Sequence, residues 1–187
     1  MSNCPRCVDR PLDPIRLAAG DLPALGCAGC NGALLSLTSY RDWRDRTGAD
    51  VAPASAPAPA AGDIDDTRSL LRCPKCAAFM TKYRFSTEAR NQIDLCAHCD
   101  EVWLDDGEWE LLARFALSSQ LAAVFTRPWQ HRLRNEEARQ RAETRWSETL
   151  GEDYARAVEI RRWLSEHPKG KELIAYLYLS QTDRGTA

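Results

Sequence analysis

The sequence predicts a small α+β fold: two β-hairpins, each carrying two cysteine knuckles, joined by a Pro/Ala linker and followed by an α-helical C-terminal region. Three observations predict it. All eight cysteines fall into four C-x-x-C pairs, Cys4/Cys7, Cys27/Cys30, Cys73/Cys76 and Cys96/Cys99, and the second two pairs repeat the first two at one constant shift, Cys4 to Cys73 and Cys27 to Cys96. The stretch G-A-D-V-A-P-A-S-A-P-A-P-A-A-G, from Gly48 to Gly62, separates the copies. After Asp105, apolar residues recur at helical spacing.

The bulk composition fits a soluble globular protein, with 44% hydrophobic and 28% charged residues among 187. No apolar run approaches the length of a membrane span, and the N-terminus, Met1-Ser2-Asn3-Cys4, has no signal-peptide core. These features favour the cytoplasm and no membrane partner. Thiols stay reduced there, so eight cysteines point to metal rather than disulfides.

Two C-x-x-C pairs with the same gap in each half, Cys7 to Cys27 and Cys76 to Cys96, form a strong zinc pattern. Each pair turns two sulfurs toward one point, and two turns complete a tetrahedral Cys4 shell. Each half therefore reads as a zinc ribbon, and the chain is expected to hold two structural Zn ions. Four thiolates suit iron as well. The formal charge is −2, and each Zn-thiolate set adds a net −2, giving −6 for the metal-loaded chain. That balance does not favour nucleic-acid binding by charge alone.

Residues 1–47 form the first expected ribbon. Ile15 and Leu17 precede a turn at Gly20-Asp21, Leu25 returns, and Pro11, Pro14 and Pro23 keep these strands short. Ala33 to Leu37 extends the apolar run, and Thr38 is the expected N-cap of a helix that buries Tyr40 and Trp43. Residues 48–68 form a semi-rigid linker, which implies two ribbons that orient separately.

Residues 69–118 form the second ribbon with its attached helix. Tyr83 and Phe85 alternate with Lys82 and Arg84, a polar turn covers Ser86 to Asn91, and Ile93 to Leu95 leads into the last knuckle. Val102, Trp103 and Leu104 are the apolar strand. Asp105 or Asp106 caps the next helix and Glu108 sits in its first turn. Trp109, Leu112, Ala113 and Ala116 share one helical face. Trp103, Leu104, Asp105, Glu108 and Trp109 are thus structural, fixing a helix to the metal knuckle.

Residues 119–180 form the helical region. Leu121 to Phe125 is a short apolar segment, and a mixed-charge helix runs from Pro128 to Leu150. Gly151 breaks it, Asp153 caps a helix through Glu166, and Pro168 opens a last helix in which Leu173, Ile174, Tyr176 and Leu177 are expected to be buried. Residues 181–187 read as a disordered tail.

The second half carries C-P-K-C, a hairpin, then C-x-x-C-x-x-V-W-L-D-x-G-E, at Cys73, Cys76, Cys96, Cys99, Val102, Trp103, Leu104, Asp105, Gly107 and Glu108. Over Cys73 to Leu112 it resembles the transcription-factor-IIB-type zinc ribbon family of bacteria. Family members commonly have Gly-Gly after the last cysteine, where this chain has Asp100-Glu101. The first half looks like a degenerate copy, with Leu34-Leu35-Ser36 in place of W-L-D. The resemblance implies a zinc-ribbon fold and a link to transcription.

Three function classes follow. A zinc-stabilised protein-interaction module, linked to transcription machinery, would recognise its partner through Lys82, Arg84 and Arg90 on the hairpin and through Trp129, Arg132 and Arg139 on the charged helix. Direct nucleic-acid binding would use Arg84 and Arg90 beside Tyr83 and Phe85 as charge and stacking surface. A thiol redox or zinc-responsive switch would use the cysteines themselves. No catalytic residues are assigned: both shells are closed by cysteine, and His98, His131 and His167 have no nucleophile or base beside them.

Overall fold

A computed structural model of the chain describes residues 2–18, 21–48 and 66–182. Most of the expected linker, 49–65, lies outside the described residues, as do 183–187 of the expected tail. The chain divides into two compact units, Met1–Glu137 and Ala138–Ala187. The first is a small α+β fold built on an antiparallel sheet.

Among the described residues, six strands form that sheet: β1 (Asp13–Leu17), β2 (Leu22–Gly26), β3 (Ala33–Ser36), β4 (Thr81–Arg84), β5 (Gln92–Cys96) and β6 (Glu101–Leu104), in the order β1-β2-β3-β6-β5-β4. Each half contributes three neighbouring strands, and β3 pairs with β6 across the middle. The expectation of separately orienting halves is therefore corrected: one hydrogen-bonded sheet runs through both. The pairing is symmetric under the sequence repeat. Leu34 opposes Trp103, its own counterpart in the second copy, and the pair Ala33–Leu104 maps onto the pair Leu35–Val102. Pro14 sits in the edge strand β1, where a missing N–H is tolerated.

The central strands are buried on both faces, so their side chains split between two apolar layers. Leu35, Val102 and Leu104 join Tyr40, Trp43, Ile93, Trp109 and Leu112 on one side. Leu34 and Trp103 join Met80, Leu71 and the cysteines on the other. The helices cover the first layer: α1 (Leu37–Thr47), α2 (Glu108–Arg114) and α3 (Leu121–Val124). Tyr40 and Trp43 are buried as expected, and the Tyr40 hydroxyl accepts the Leu121 N–H at 3.0 Å, tying α1 to α3.

Two caps differ from expectation. The helix α1 starts early, with Ser36 rather than Thr38 at its N-cap, because β3 runs straight into it. Gly107, in the left-handed region at φ 79°, is the N-cap of α2, and neither Asp105 nor Asp106 caps it. Instead the Glu108 carboxylate reaches back to the Asp105 N–H at 2.9 Å, which lets the Asp105 side chain turn into the metal-side layer.

The helix α4 (Arg127–Leu150) begins in the first unit, where Trp129 packs on the helix-side core and Gln130 donates to the carbonyls of Arg84 and Val124. In the second unit it passes through a single 3-10 turn, Gly151–Asp153, into α5 (Tyr154–Glu166) and α6 (Gly170–Thr182). Gly151 takes φ 53°, the left-handed geometry that ends a helix. Ile174, Tyr176 and Leu177, expected to be buried, are exposed. The helix α6 includes Gln181 and Thr182, which the sequence assigns to the tail.

Candidate metal centres

Four short turns build the two cysteine clusters, and all four share one geometry. The carbonyl of the first cysteine accepts an N–H four residues on: Val8 to Cys4, Asn31 to Cys27, Ala77 to Cys73 and Asp100 to Cys96, each at 2.9 Å. Each donor residue takes a left-handed φ, between 54° and 60°. Asp100 thus adopts this left-handed backbone without being glycine. The turn also aims backbone donors at sulfur: Cys7 N–H lies 3.3 Å from Cys4 Sγ, and Gly29 N–H lies 3.4 Å from Cys27 Sγ.

In each half the four sulfurs converge within 4.8 Å of one another. The contacts are 3.6 Å for Cys4–Cys30, 3.4 Å for Cys73–Cys99, and 3.5 Å for both Cys76–Cys96 and Cys96–Cys99. These are far longer than a disulfide of about 2 Å. They approach the edge of about 3.8 Å expected for a tetrahedron with bonds of about 2.3 Å to a central zinc. Cys4, Cys27, Cys73 and Cys96, the first of each pair, are buried, while Cys7, Cys30, Cys76 and Cys99 are half-buried. Two Cys4 clusters can therefore each hold a metal ion.

The thiol electrostatics repeat from one cluster to the other. Burial penalises the thiolate of Cys27, but N–H groups of Gly29 and Cys30 and neighbouring thiols outweigh it and lower its pKa to about 7. Cys96 follows the same pattern, with burial again outweighed, here by the N–H groups of Cys99 and His98, and also falls to about 7. Burial and the neighbouring thiols push Cys30 and Cys99 well up, and burial raises Cys4 and Cys73. In each set one thiol is thus lowered by backbone N–H groups and neighbouring thiols, while two others are raised, first by burial. A divalent cation at the centre would supply positive charge to the four sulfurs, a donor set that suits zinc. Four thiolates leave no ligand position open, as in structural sites.

The residues around Trp103 tie the clusters to the sheet. The indole is fully buried, and its Nε1–H donates to Asp105 Oδ1 at 3.0 Å. Asp105 also accepts the Thr67 N–H at 2.6 Å and lies 3.8 Å from the Arg6 guanidinium. Residues 66–68 of the expected linker are thus described, and Thr67 is buried against the second half. Gly32 makes room for the indole: a Cβ there would lie 2.3 Å from Trp103 Cζ2. Asn31 Nδ2 donates to Asp106 at 3.2 Å, a further bond between the halves. Arg6, Gly32 and Thr67 carry no sequence signal for these roles, since their partners lie in the other half of the repeat or across the linker.

Asp66, Asp105 and Glu108 bring carboxylate oxygens within 4.8 Å. Glu108 is pushed up to about 8, first by burial and then by the neighbouring carboxylates. Glu108 Oε2 accepts the Asp105 N–H and Asn91 Nδ2 donates to Oε1 at 3.4 Å, so this group serves as an internal fastening between β6, α2 and the hairpin.

The expected recognition residues are spread over the molecule. Lys82 donates to the buried Asp94 at 2.8 Å, its cross-strand neighbour. Arg84 pairs with Glu137 and reaches the carbonyls of Ser86 and Ala89. Arg90 is exposed. The Arg132 guanidinium stacks 4.8 Å above Trp129, and Arg139 lies in the second unit, 3.9 Å from Glu143. Lys82 and Arg84 therefore serve internal contacts, Trp129 is half-buried against the helix-side core, and Arg90 and Arg132 are exposed. Among the described residues, no helix is long and apolar enough to cross a membrane. No protein-family model, curated protein or solved structure matches the chain.

Proposed function

We propose that the chain is a zinc-stabilised protein-interaction module in which two zinc ribbons share one sheet. The observation that carries this reading is the pair of closed Cys4 clusters, with tetrahedral-scale sulfur spacing and repeated geometry. Zinc supplies each set with positive charge and a cross-link; the chain's own residues do the recognition. In each ribbon the metal would add a cross-link between two turns to the apolar layers of the sheet.

The proposed recognition residues are Arg90 and Arg132, both exposed, with Arg132 stacked on the half-buried Trp129. Tryptophan and arginine are the residues most often found at interaction hot spots. The internal engagement of Lys82 and Arg84 and the acidic net charge both weigh against direct nucleic-acid binding. The resemblance of Cys73 to Leu112 to transcription-factor-IIB-type ribbons points to a partner in the transcription machinery of the cytoplasm.

The test is capture from native lysate by the zinc-loaded protein, beside a Trp129→Ala/Arg132→Ala variant with unchanged zinc content. Recovery of RNA polymerase components by the parent and their loss with the variant supports the proposal. Equal capture by both removes this surface from it. A salt-dependent shift of DNA or RNA at physiological ionic strength would favour the nucleic-acid reading instead.

A further inference from the structure

The carboxylates that fasten β6 to α2 sit among oxygens that nothing satisfies. Among the described residues, three buried side-chain oxygens have no hydrogen-bond partner: Asp66 Oδ1, Thr67 Oγ1 and Asp94 Oδ1. All three belong to this neighbourhood. Asp66 brings an oxygen within 4.8 Å of those of Asp105 and Glu108. Thr67 donates its N–H to Asp105 Oδ2 at 2.6 Å. Its hydroxyl oxygen is three bonds from that nitrogen, so it lies within about 6 Å of the Asp105 carboxylate. Asp94 opposes Trp103 across β5–β6, which puts it on the face where the indole N–H meets Asp105. The acidic charges that act on its carboxylate are those of Asp105 and Asp66.

Burial makes these oxygens costly. Thr67 is 7% exposed and Asp94 1%, so neither meets bulk water. An oxygen in such a place gives up its hydration with nothing in exchange unless a donor or a cation faces it. Charge adds to the cost. Four carboxylates, Asp66, Asp94, Asp105 and Glu108, meet two cations in ion-pair contact: Lys82 at 2.8 Å from Asp94 and Arg6 at 3.8 Å from Asp105. Burial first, and then neighbouring carboxylates, raise both Asp66 and Glu108. Negative charge is thus in excess at a place with little water.

The donor set selects the class of ligand. These are carboxylate and hydroxyl oxygens, with no sulfur or imidazole among them, and such a set suits a hard divalent cation. Three oxygens no more than 4.8 Å apart surround a point at most about 2.8 Å from each, close to calcium–oxygen bonds of about 2.3–2.6 Å. The oxygens of Asp105 and Glu108 that already accept an N–H each keep a second lone pair for a metal.

We propose that Asp66, Asp105 and Glu108, with the Asp94 carboxylate and the Thr67 hydroxyl beside them, form a further metal site that takes a hard divalent cation. The site is distinct in place and chemistry from the two cysteine clusters, whose thiolates suit zinc. The cation would pin residues 66 and 67, where the chain enters the second half, to the start of α2 and to β5.

The experiment is calorimetric titration of the full zinc-loaded chain with calcium alone and with magnesium alone, beside Asp66→Asn. That substitution keeps the size of the side chain and an oxygen for the backbone bond from Gln92. The parent should bind one ion of at least one of the two metals per chain, with its zinc content unchanged. Asp66→Asn should weaken that binding at least about tenfold. Thermal unfolding of the same samples gives an independent readout: the ion should raise the midpoint of the parent and leave that of the variant unmoved. No binding of either metal at about 10 mM, above the weakest calcium sites of proteins, would overturn the proposal, because water then satisfies these oxygens. Parent-like affinity in Asp66→Asn would overturn it too, since the ion would sit elsewhere. So would uptake matched by zinc release, which would place the ion at the cysteine clusters.

Discussion

Trp103 is where the two halves of the repeat meet. Its ring fills the space that Gly32 leaves open, and its N–H holds Asp105 inward. Gly32→Ala should therefore cost about 2 kcal/mol through overpacking against a side chain with nowhere to move, measured by urea unfolding of the zinc-loaded protein. A loss below a few tenths would show that the indole is not held there. Glu108 makes a second prediction. Its folded pKa of about 8 lies above the ordinary 4.5. Above pH 4.5 the unfolded chain releases this proton and the folded chain keeps it, so stability falls as pH rises toward 8. The slope is at most about 1.4 kcal/mol per pH unit for one proton. Glu108→Gln should remove that slope in urea unfolding at saturating zinc, and an unchanged slope would place the proton elsewhere. The pattern D-x-G-E announces a helix start, but which carboxylate does the capping is decided by tertiary contacts. Asp105 is drawn inward by Thr67, Trp103 and Arg6, and neither Thr67 nor Arg6 belongs to that pattern.

The strands show where sequence patterning works and where it needs the third dimension. The hairpin β4–β5 is legible because Tyr83 and Phe85 alternate with charged residues, and the helix start at Arg127 follows from Pro128 beside it. In β3 and β6 the apolar runs Ala33-Leu34-Leu35 and Val102-Trp103-Leu104 do not alternate, which marks strands buried on both faces. That signal asks for a cover on each side and a strand neighbour, but does not say that each run is the other's neighbour. Lys82 illustrates a further limit. A charge in a hairpin reads as open surface, yet its cross-strand partner Asp94 is buried and is already raised to about 6, first by burial. Lys82→Met should cost about 3 kcal/mol because it strands that carboxylate. Lys82→Met combined with Asp94→Asn should recover much of the loss. If the double variant is no more stable than the single one in thermal unfolding, the pair is not the fastening described here. In α6 the difference runs the other way: apolar spacing announces a helix, while burial depends on a neighbour that residues 138–182 do not themselves provide.

Across the whole molecule, the cysteine spacing makes both candidate metal centres legible, because ligand geometry is local to each turn and the repeat doubles the signal. Their union in one sheet is not legible, since β3 and β6 pair over a long sequence separation. That union changes what loss of one centre should do. Cys96→Ser should leave one zinc per chain. It should also speed zinc loss to a chelator from the cluster of Cys4, Cys7, Cys27 and Cys30, because β6 supports β3. Chelator release at the parent rate would mean the sheet does not couple the two sites. The central claim, two structural Cys4 zinc centres, is tested most directly by native mass spectrometry of protein prepared without chelator, with the metal identified by elemental analysis. Two zinc ions per chain, each displacing thiol protons, is the expected result. Fewer than two, a different metal, or a mass that shows cysteines paired as disulfides would contradict it.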